Sequence, residues 1–308
     1  MQEHDLKTDL RTQVANLLSQ GDISAAKLAK ESGIGASKLS QWRNGVYKGD
    51  NTAVERSLQQ WFDQKSTKQI TASKLPKAPR YVPTPTAQKI ISTLTYAHIA
   101  ADLVIVYGGA GVSKTTAIKE YAANTNNVWI VEATPSRNTG GSFLRSVAYA
   151  TGMRLSRGHA DQLEREIIER LTDTEGLLVV DEAQFLNDRA LENARRLAEL
   201  SGIGLALLGN ESVYGQLTGS RRAAEYAQLF SRIGKRLRLT RPTKQDVAMI
   251  ANAWNLGKEE TAFAQDIAAR PGALRGLNKA LRLASIFAKG GTINTHHLNA
   301  AWADLTGE

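Results

Sequence analysis

The sequence predicts an α/β protein in which helices cover both faces of a parallel sheet, with a small all-helical domain before it and a helical lid after it. Three observations carry this reading. From residue 86 onward, short apolar runs of strand length alternate with helical patterns, which is how a parallel sheet buried on both faces reads in sequence. After Pro242 the strand-like runs cease and only helical periodicity remains. Before residue 65 the apolar residues recur at helical spacing alone.

The first domain, 1–65, is expected to hold four helices. Leu6, Leu10, Val14, Leu17 and Leu18 lie on one helical face, and Gly21 closes that helix. Ser24 caps a short helix, AAKLAKES, Gly33 makes a turn, and a second short helix, ASKLSQW, runs to Asn44-Gly45. A last amphipathic helix carries Val54, Leu58 and Trp61. Within this stretch Ala29 is small where two helices cross, Gly33 accepts a left-handed turn, and Ile34, Leu39 and Trp42 lock the second helix onto the first. The pattern is similar to the helix-turn-helix of phage repressors. It leaves Ser37, Lys38, Gln41 and Arg43 facing outward, where the second helix of such a unit meets the DNA major groove. These side chains contact phosphate as readily as bases, so no sequence specificity follows.

Residues 66–85 are rich in Lys, Ser and Thr and contain Pro76, Pro79, Pro83 and Pro85. They cannot bury enough apolar surface to fold alone and are expected to form a semi-extended linker. The second domain, 86–241, then reads as a helix at Ala87–Ile99, strand Leu103–Tyr107, a glycine loop and a helix at Lys114–Ala123. Strand Val128–Glu132, helices Ser142–Thr151 and Asp161–Leu171, strand Leu177–Asp181 and helix Ala190–Leu200 follow. Strands Ile203–Gly209 and Lys235–Thr240 complete it, and residues 242–308 form the helical lid.

Composition removes several chemistries. The chain has no cysteine, which excludes disulfides, a thiolate nucleophile and any Cys-containing zinc site. His98, His159 and the adjacent His296-His297 pair lack the partners of a metal site, and no Ser/His/Asp arrangement is apparent. No apolar run approaches the roughly 18 residues that span a bilayer, and the N-terminus is too polar for a signal peptide. A cytoplasmic protein without membrane partners is expected, in the host cytoplasm if it is phage-encoded. The net charge of +9 favours a polyanionic partner, and Arg221 to Arg241 holds seven basic residues against one acid.

Residues 108–116 read GGAGVSKTT, between strand LVIVY and helix TTAIKEYAA. A phosphate-binding loop is written G-x-x-x-x-G-K-[ST], and Gly108, Lys114 and Thr115 fall in register. The backbone of Gly108, Gly109, Ala110, Gly111, Val112, Ser113 and Thr116 is expected to cradle ATP phosphates, with Lys114 on the outer ones and Thr115 on Mg²⁺. Ser113 stands where the pattern has glycine. If that position needs a positive φ, the cost is about 1 kcal/mol, a loss of roughly tenfold or less in affinity. The strand LLVVD ends at Asp181, able to hold Mg²⁺, followed by Glu182, able to activate the attacking water. Asn210, closing IGLALLGN, is placed to position that water beside the γ-phosphate.

Lys114, Asp181-Glu182, Asn210, an arginine in LFSRIGKRL and an arginine in GALRGLNKAL occur in the order of Walker A, Walker B, sensor 1, arginine finger and sensor 2. Residues 86–304 thus resemble one AAA+ ATPase module. The resemblance implies nucleotide between subunits, with a finger reaching the neighbour's γ-phosphate; Arg232 is the candidate, Arg236 competes with it, and Arg275 matches sensor 2. With the N-terminal helices, the basic linker and DEAQ at Walker B, nearly the whole chain is similar to the phage Mu transposition B family. That implies an ATP- and Mg²⁺-dependent, largely sequence-nonspecific DNA-binding ATPase. It also implies assembly as a helical filament on duplex DNA and delivery of target DNA to a transposase. Two alternatives share the motifs: a helicase-loader or initiator ATPase, and a regulator that binds ATP without hydrolysing it.

Overall fold

The computed structural model describes residues 2–74, 79, 81–154, 159–218 and 232–307, with side chains at all of these except 2–9, 67–74 and 216–218. The chain divides into two compact units, residues 1–76 and 77–308.

In the first unit, α1 (Gln2–Ser19), α2 (Ala25–Ser32), α3 (Ala36–Arg43) and α4 (Asn51–Lys74) close on a single apolar core. Ser24 caps α2 by accepting a hydrogen bond from Lys27 N–H at 3.2 Å, and Gly33 ends the helix at φ 71. Leu28, Leu39, Trp42, Val54 and Leu58 are almost completely buried. Truncating one of the large ones to alanine would cost about 2–5 kcal/mol. The Trp42 indole N–H donates to Glu55 and that of Trp61 to Glu31, so neither ring buries an unsatisfied donor.

The expected linker begins later than its composition suggests, because α4 continues to Lys74. Residues 66–74 contain no proline or glycine, so nothing local stops a helix already nucleated by the packed turns before it. The first breaker is Pro76, which disfavours helical geometry in the residue before it.

In the second unit five parallel strands stand in the order β2-β3-β4-β1-β5. They are β1 (Leu103–Gly108), β2 (Val128–Glu132), β3 (Leu177–Asp181), β4 (Gly204–Gly209) and β5 (Ile233–Leu239). The two-residue period sorts each strand between two cores. Leu103, Ile105 and Tyr107 of β1 face one side with Leu178, Val180, Leu205 and Leu207. There they meet α7 (Gly140–Ala150), α8 (Ala160–Leu171) and α9 (Asp188–Ser201). Val104, Val106, Leu177, Val179, Ala206 and Leu208 face the other side, against α5 (Pro85–Ala100) and α6 (Lys114–Asn124). The short helix α10 (Glu211–Thr218) follows β4.

On the outer strand β5, Gly234, Arg236 and Arg238 are exposed. Charges there oppose pairing with another edge. Helices α11 (Lys244–Ala253), α12 (Lys258–Ala269), α13 (Ala273–Phe287) and α14 (Thr295–Thr306) enclose a third core around Leu277, Leu281 and Leu298.

One carboxylate ties this helical part to the sheet part. Asp246, completely buried, accepts from Thr86 N–H at 2.8 Å, Thr86 Oγ1 at 2.6 Å, Thr243 N–H at 2.7 Å and Thr243 Oγ1 at 2.8 Å. Burial pushes its carboxyl upward, but these hydrogen bonds outweigh that and hold it below the usual carboxylate range. The start of α5 and the start of α11 therefore share one acceptor.

Candidate nucleotide site

The site forms where β1, β3 and β4 end on the same edge of the sheet. Parallel pairing makes this unavoidable: strands in register deliver their C-terminal residues side by side. A cavity of about 500 Å³ opens there. Gly108 and Ala110 to Thr116 line it from the loop, Glu182 and Asn210 from the ends of β3 and β4, and Arg275 from α13.

The loop's glycines are required by close approach. A Cβ on Gly108, at φ 131, would stand 1.8 Å from the Leu239 carbonyl oxygen, and one on Gly111, at φ 74, would stand 2.2 Å from that of Gly272. Leu274 N–H donates to Gly111 O at 3.1 Å, so the loop bears directly on the start of α13. Ser113 lies at φ 69 and ψ 16, the left-handed conformation in which a side chain is strained by about 1 kcal/mol. Gly109 lies behind the lining, its N–H donating to Leu239 O at 2.9 Å. Val112 turns its side chain into the core and offers the cavity its backbone.

Lys114, first residue of α6, donates from Nζ to Gly108 O at 2.9 Å and Gly109 O at 2.8 Å. Burial pulls its ammonium below the usual lysine range, against the opposing pull of Glu182 and Asp181. Asp181 is buried and shifted upward for the same first reason, against the hydrogen bonds and the Lys114 charge that stabilise it. Thr115 Oγ1 donates to Asp181 Oδ2 at 2.8 Å, and Glu182 N–H to Asp181 Oδ1 at 3.0 Å. A hydroxyl and a carboxylate thus lie side by side, hard oxygens of the kind that suit Mg²⁺. Because both shifts come first from desolvation, charge–charge interactions here are stronger than in bulk water.

Glu182 also adopts a left-handed conformation, at φ 55, where β3 gives way to a short 3-10 turn at Ala183–Phe185. Strain of this kind gathers at functional sites. Asn210 uses Oδ1 to accept from Ser212 N–H at 2.8 Å, capping α10, and the residue lines the cavity.

The two finger candidates stand elsewhere. Arg232 precedes β5 at the sheet edge where β1 begins, since Ile233 pairs with Leu103. The length of β1, roughly 15–20 Å, separates it from the loop of its own chain. Its guanidinium pairs with Glu199 on α9. Arg236 lies within β5, opposite Ile105. Arg221 and Arg222, part of the basic stretch, lie outside the described residues. On α3, Ser37, Gln41 and Arg43 are exposed, whereas Lys38 is half-buried with its ammonium 5.4 Å over the Tyr47 ring.

Several lining residues escaped the sequence reading. Asn278, Lys279 and Arg282 follow Arg275 at helical spacing on α13, a period that would have found them had the lid face been known. Tyr81 and Thr84 enter from the segment before α5. Among the described residues, no group of three His, Asp or Glu side chains is placed to hold a metal ion, and no helix is long and apolar enough to cross a membrane.

Comparison with known proteins agrees with this architecture. Residues 98–217 match the AAA domain and residues 231–305 match the C-terminal domain of the Mu B transposition protein. The chain is 38% identical over 301 residues to the ATP-dependent target DNA activator B of Escherichia phage Mu, covering 97% of this chain and 95% of that one. It is 38% identical over 265 residues to the Mu-like prophage FluMu DNA transposition protein B of Haemophilus influenzae, covering 85% and 91%. Among solved structures, Drosophila ORC bound to DNA superposes with a TM-score of 0.52 at 16% identity, over 78% of this chain and 66% of that one. Cdc6p from Pyrobaculum aerophilum gives 0.52 at 15%, over 71% and 65%. At such identities, and over just under two-thirds of those chains, these two show the fold alone. With an AAA+ P-loop NTPase fold and relatives matched over nearly its whole length, the chain belongs to the Mu B transposition protein family.

Proposed function

We propose that this protein is a Mg²⁺-dependent ATPase that binds duplex DNA largely without regard to sequence, assembles on it as a helical filament, and presents it as target to a transposase. The observation that carries the reading is the convergence of Lys114, Glu182, Asn210 and Arg275 on one cavity of about 500 Å³, in a chain whose relatives are named ATP-dependent target DNA activators.

The backbone N–H groups at the start of α6 receive the phosphates, aided by the positive end of the helix dipole. Lys114 exchanges its two carbonyl acceptors for phosphate oxygens. Thr115 and Asp181 are the residues to hold Mg²⁺, which when bound neutralises charge on the outer phosphates. Glu182 accepts the proton of the attacking water, and the Asn210 amide orients it. Arg275 answers charge on the transferred phosphoryl from the lid, and Arg232 of a neighbouring copy does so across the subunit boundary. Its distance from its own loop supports a role in another copy's site, and that requirement for a neighbour is what links nucleotide to assembly.

Ser37, Gln41 and Arg43, with Lys38 beside them, supply the DNA face of the first unit, and the basic linker and β5 add non-specific attraction. Electron microscopy of the full chain with duplex DNA tests the reading. ATP should give continuous filaments and ADP should not; monomers under saturating ATP would reject it.

A further inference from the structure

Gln184 follows Glu182 by two residues, and the motif alone gives it no task. It lies in the 3-10 turn Ala183–Phe185 after Glu182, and its side chain reaches both the Glu182 carboxylate and the backbone at the end of β4. The carboxamide joins two groups there. Nε2 donates to Glu182 Oε2 at 2.5 Å, and Oε1 accepts from Asn210 N–H at 3.3 Å. Gly209 makes room for this bridge: a Cβ on it would stand 2.2 Å from Gln184 Oε1 and 2.4 Å from Val213 Cγ2. Gly209 is absent from the positive-φ positions. Steric room, not backbone freedom, is therefore what its missing side chain supplies.

We infer that Gln184 is a positioning residue, which sets the Glu182 carboxylate relative to the end of β4 so that one side chain fixes both the base and the residue that orients the water. A carboxamide suits the place because it donates to the carboxylate on one side and accepts from the backbone on the other. A glutamate would keep the acceptor for Asn210 but turn a second carboxylate on Glu182. A methionine of similar length would leave Glu182 and the Asn210 N–H without this partner. Rate losses of on the order of 10- to 100-fold accompany misplacement of a reacting group by about 1 Å, so the expected effect falls on turnover. The inference rests on the ATPase reading given above.

The test uses the full chain on duplex DNA, with steady-state phosphate release and equilibrium binding of a fluorescent ATP analogue. Wild type, Glu182→Gln, Gln184→Glu, Gln184→Met and Gly209→Ala are compared. Both Gln184 variants should bind the analogue within about twofold of wild type yet lose kcat on the order of 10- to 100-fold. Gln184→Met combined with Gly209→Ala should lose little more than the worse single change, because both disturb one bridge. If Glu182→Gln is inactive while Gln184→Glu turns over like wild type, the inference is wrong. A loss confined to nucleotide affinity in both Gln184 variants overturns it equally. Wild type that releases no phosphate, or Glu182→Gln that matches it, removes the ATPase reading and this inference together.

Discussion

Replacing Gly111 by alanine probes whether the phosphate loop and the lid must touch. At φ 74 an added Cβ meets the left-handed penalty, roughly 1–2 kcal/mol. It would also stand 2.2 Å from the Gly272 carbonyl oxygen, a backbone atom that has no rotamer to yield. Loop and lid must part, and the Leu274 N–H to Gly111 O bond of 3.1 Å is lost, about 1 kcal/mol more. Together these give roughly 2–3 kcal/mol, or ATP-analogue binding weakened roughly 30- to 150-fold. Gly202→Ala is the matched control. Gly202 has φ 68 with nothing within 4 Å of an added Cβ, so it carries the strain without the collision. It should lower stability by about 1 kcal/mol, shifting the melting temperature by roughly 2–4 °C, and leave nucleotide binding alone. Fluorescent-analogue titration with parallel thermal melts decides the matter. If Gly111→Ala binds as wild type does, or if Gly202→Ala weakens binding as much, the contact between loop and lid has no part in holding nucleotide.

Ser113→Gly removes a side chain from a left-handed position, so nucleotide affinity should hold or rise by up to roughly tenfold; a loss would mean that the hydroxyl contributes a contact. Asp246→Asn tests the joint between α5 and α11. Because the folded carboxyl is held low, its stabilisation is complete above the unfolded value of about 3.9 and vanishes as pH falls through the lower folded value. Urea midpoints of wild type and variant should therefore differ most at neutral pH and converge in acid; a gap independent of pH would contradict this. Arg43→Ala should weaken binding to unrelated duplexes alike and reduce the slope of log affinity against log salt by about 1; an unchanged slope would take α3 off the phosphate backbone.

Much of the site was legible because its parts are local in sequence. Lys114 and Thr115 follow the loop glycines at fixed spacing, and Asp181-Glu182 and Asn210 are strand ends that parallel pairing must bring together. The strands were readable for a similar reason, since runs such as LVIVY and LLVVD are buried on both faces and need no alternation. What escaped depends on tertiary contact. Lys279 and Arg282 matter only once α13 is laid over the loop, and Gln184 only once the turn after β3 folds back beneath Gly209. The extent of α4 escaped for a different reason: polar composition argued for a linker, whereas helix propagation from a packed start carried the helix to Lys74.

The most direct test of the account is phosphate release from ATP by the full chain on duplex DNA, wild type beside Lys114→Ala. Wild type should release phosphate in a Mg²⁺-dependent manner, faster with DNA than without. Lys114→Ala should lose the activity while keeping its helical content, because the change removes a partly desolvated ammonium and adds no bulk to the start of α6. Equal release from the two proteins would place the chemistry elsewhere and contradict the account.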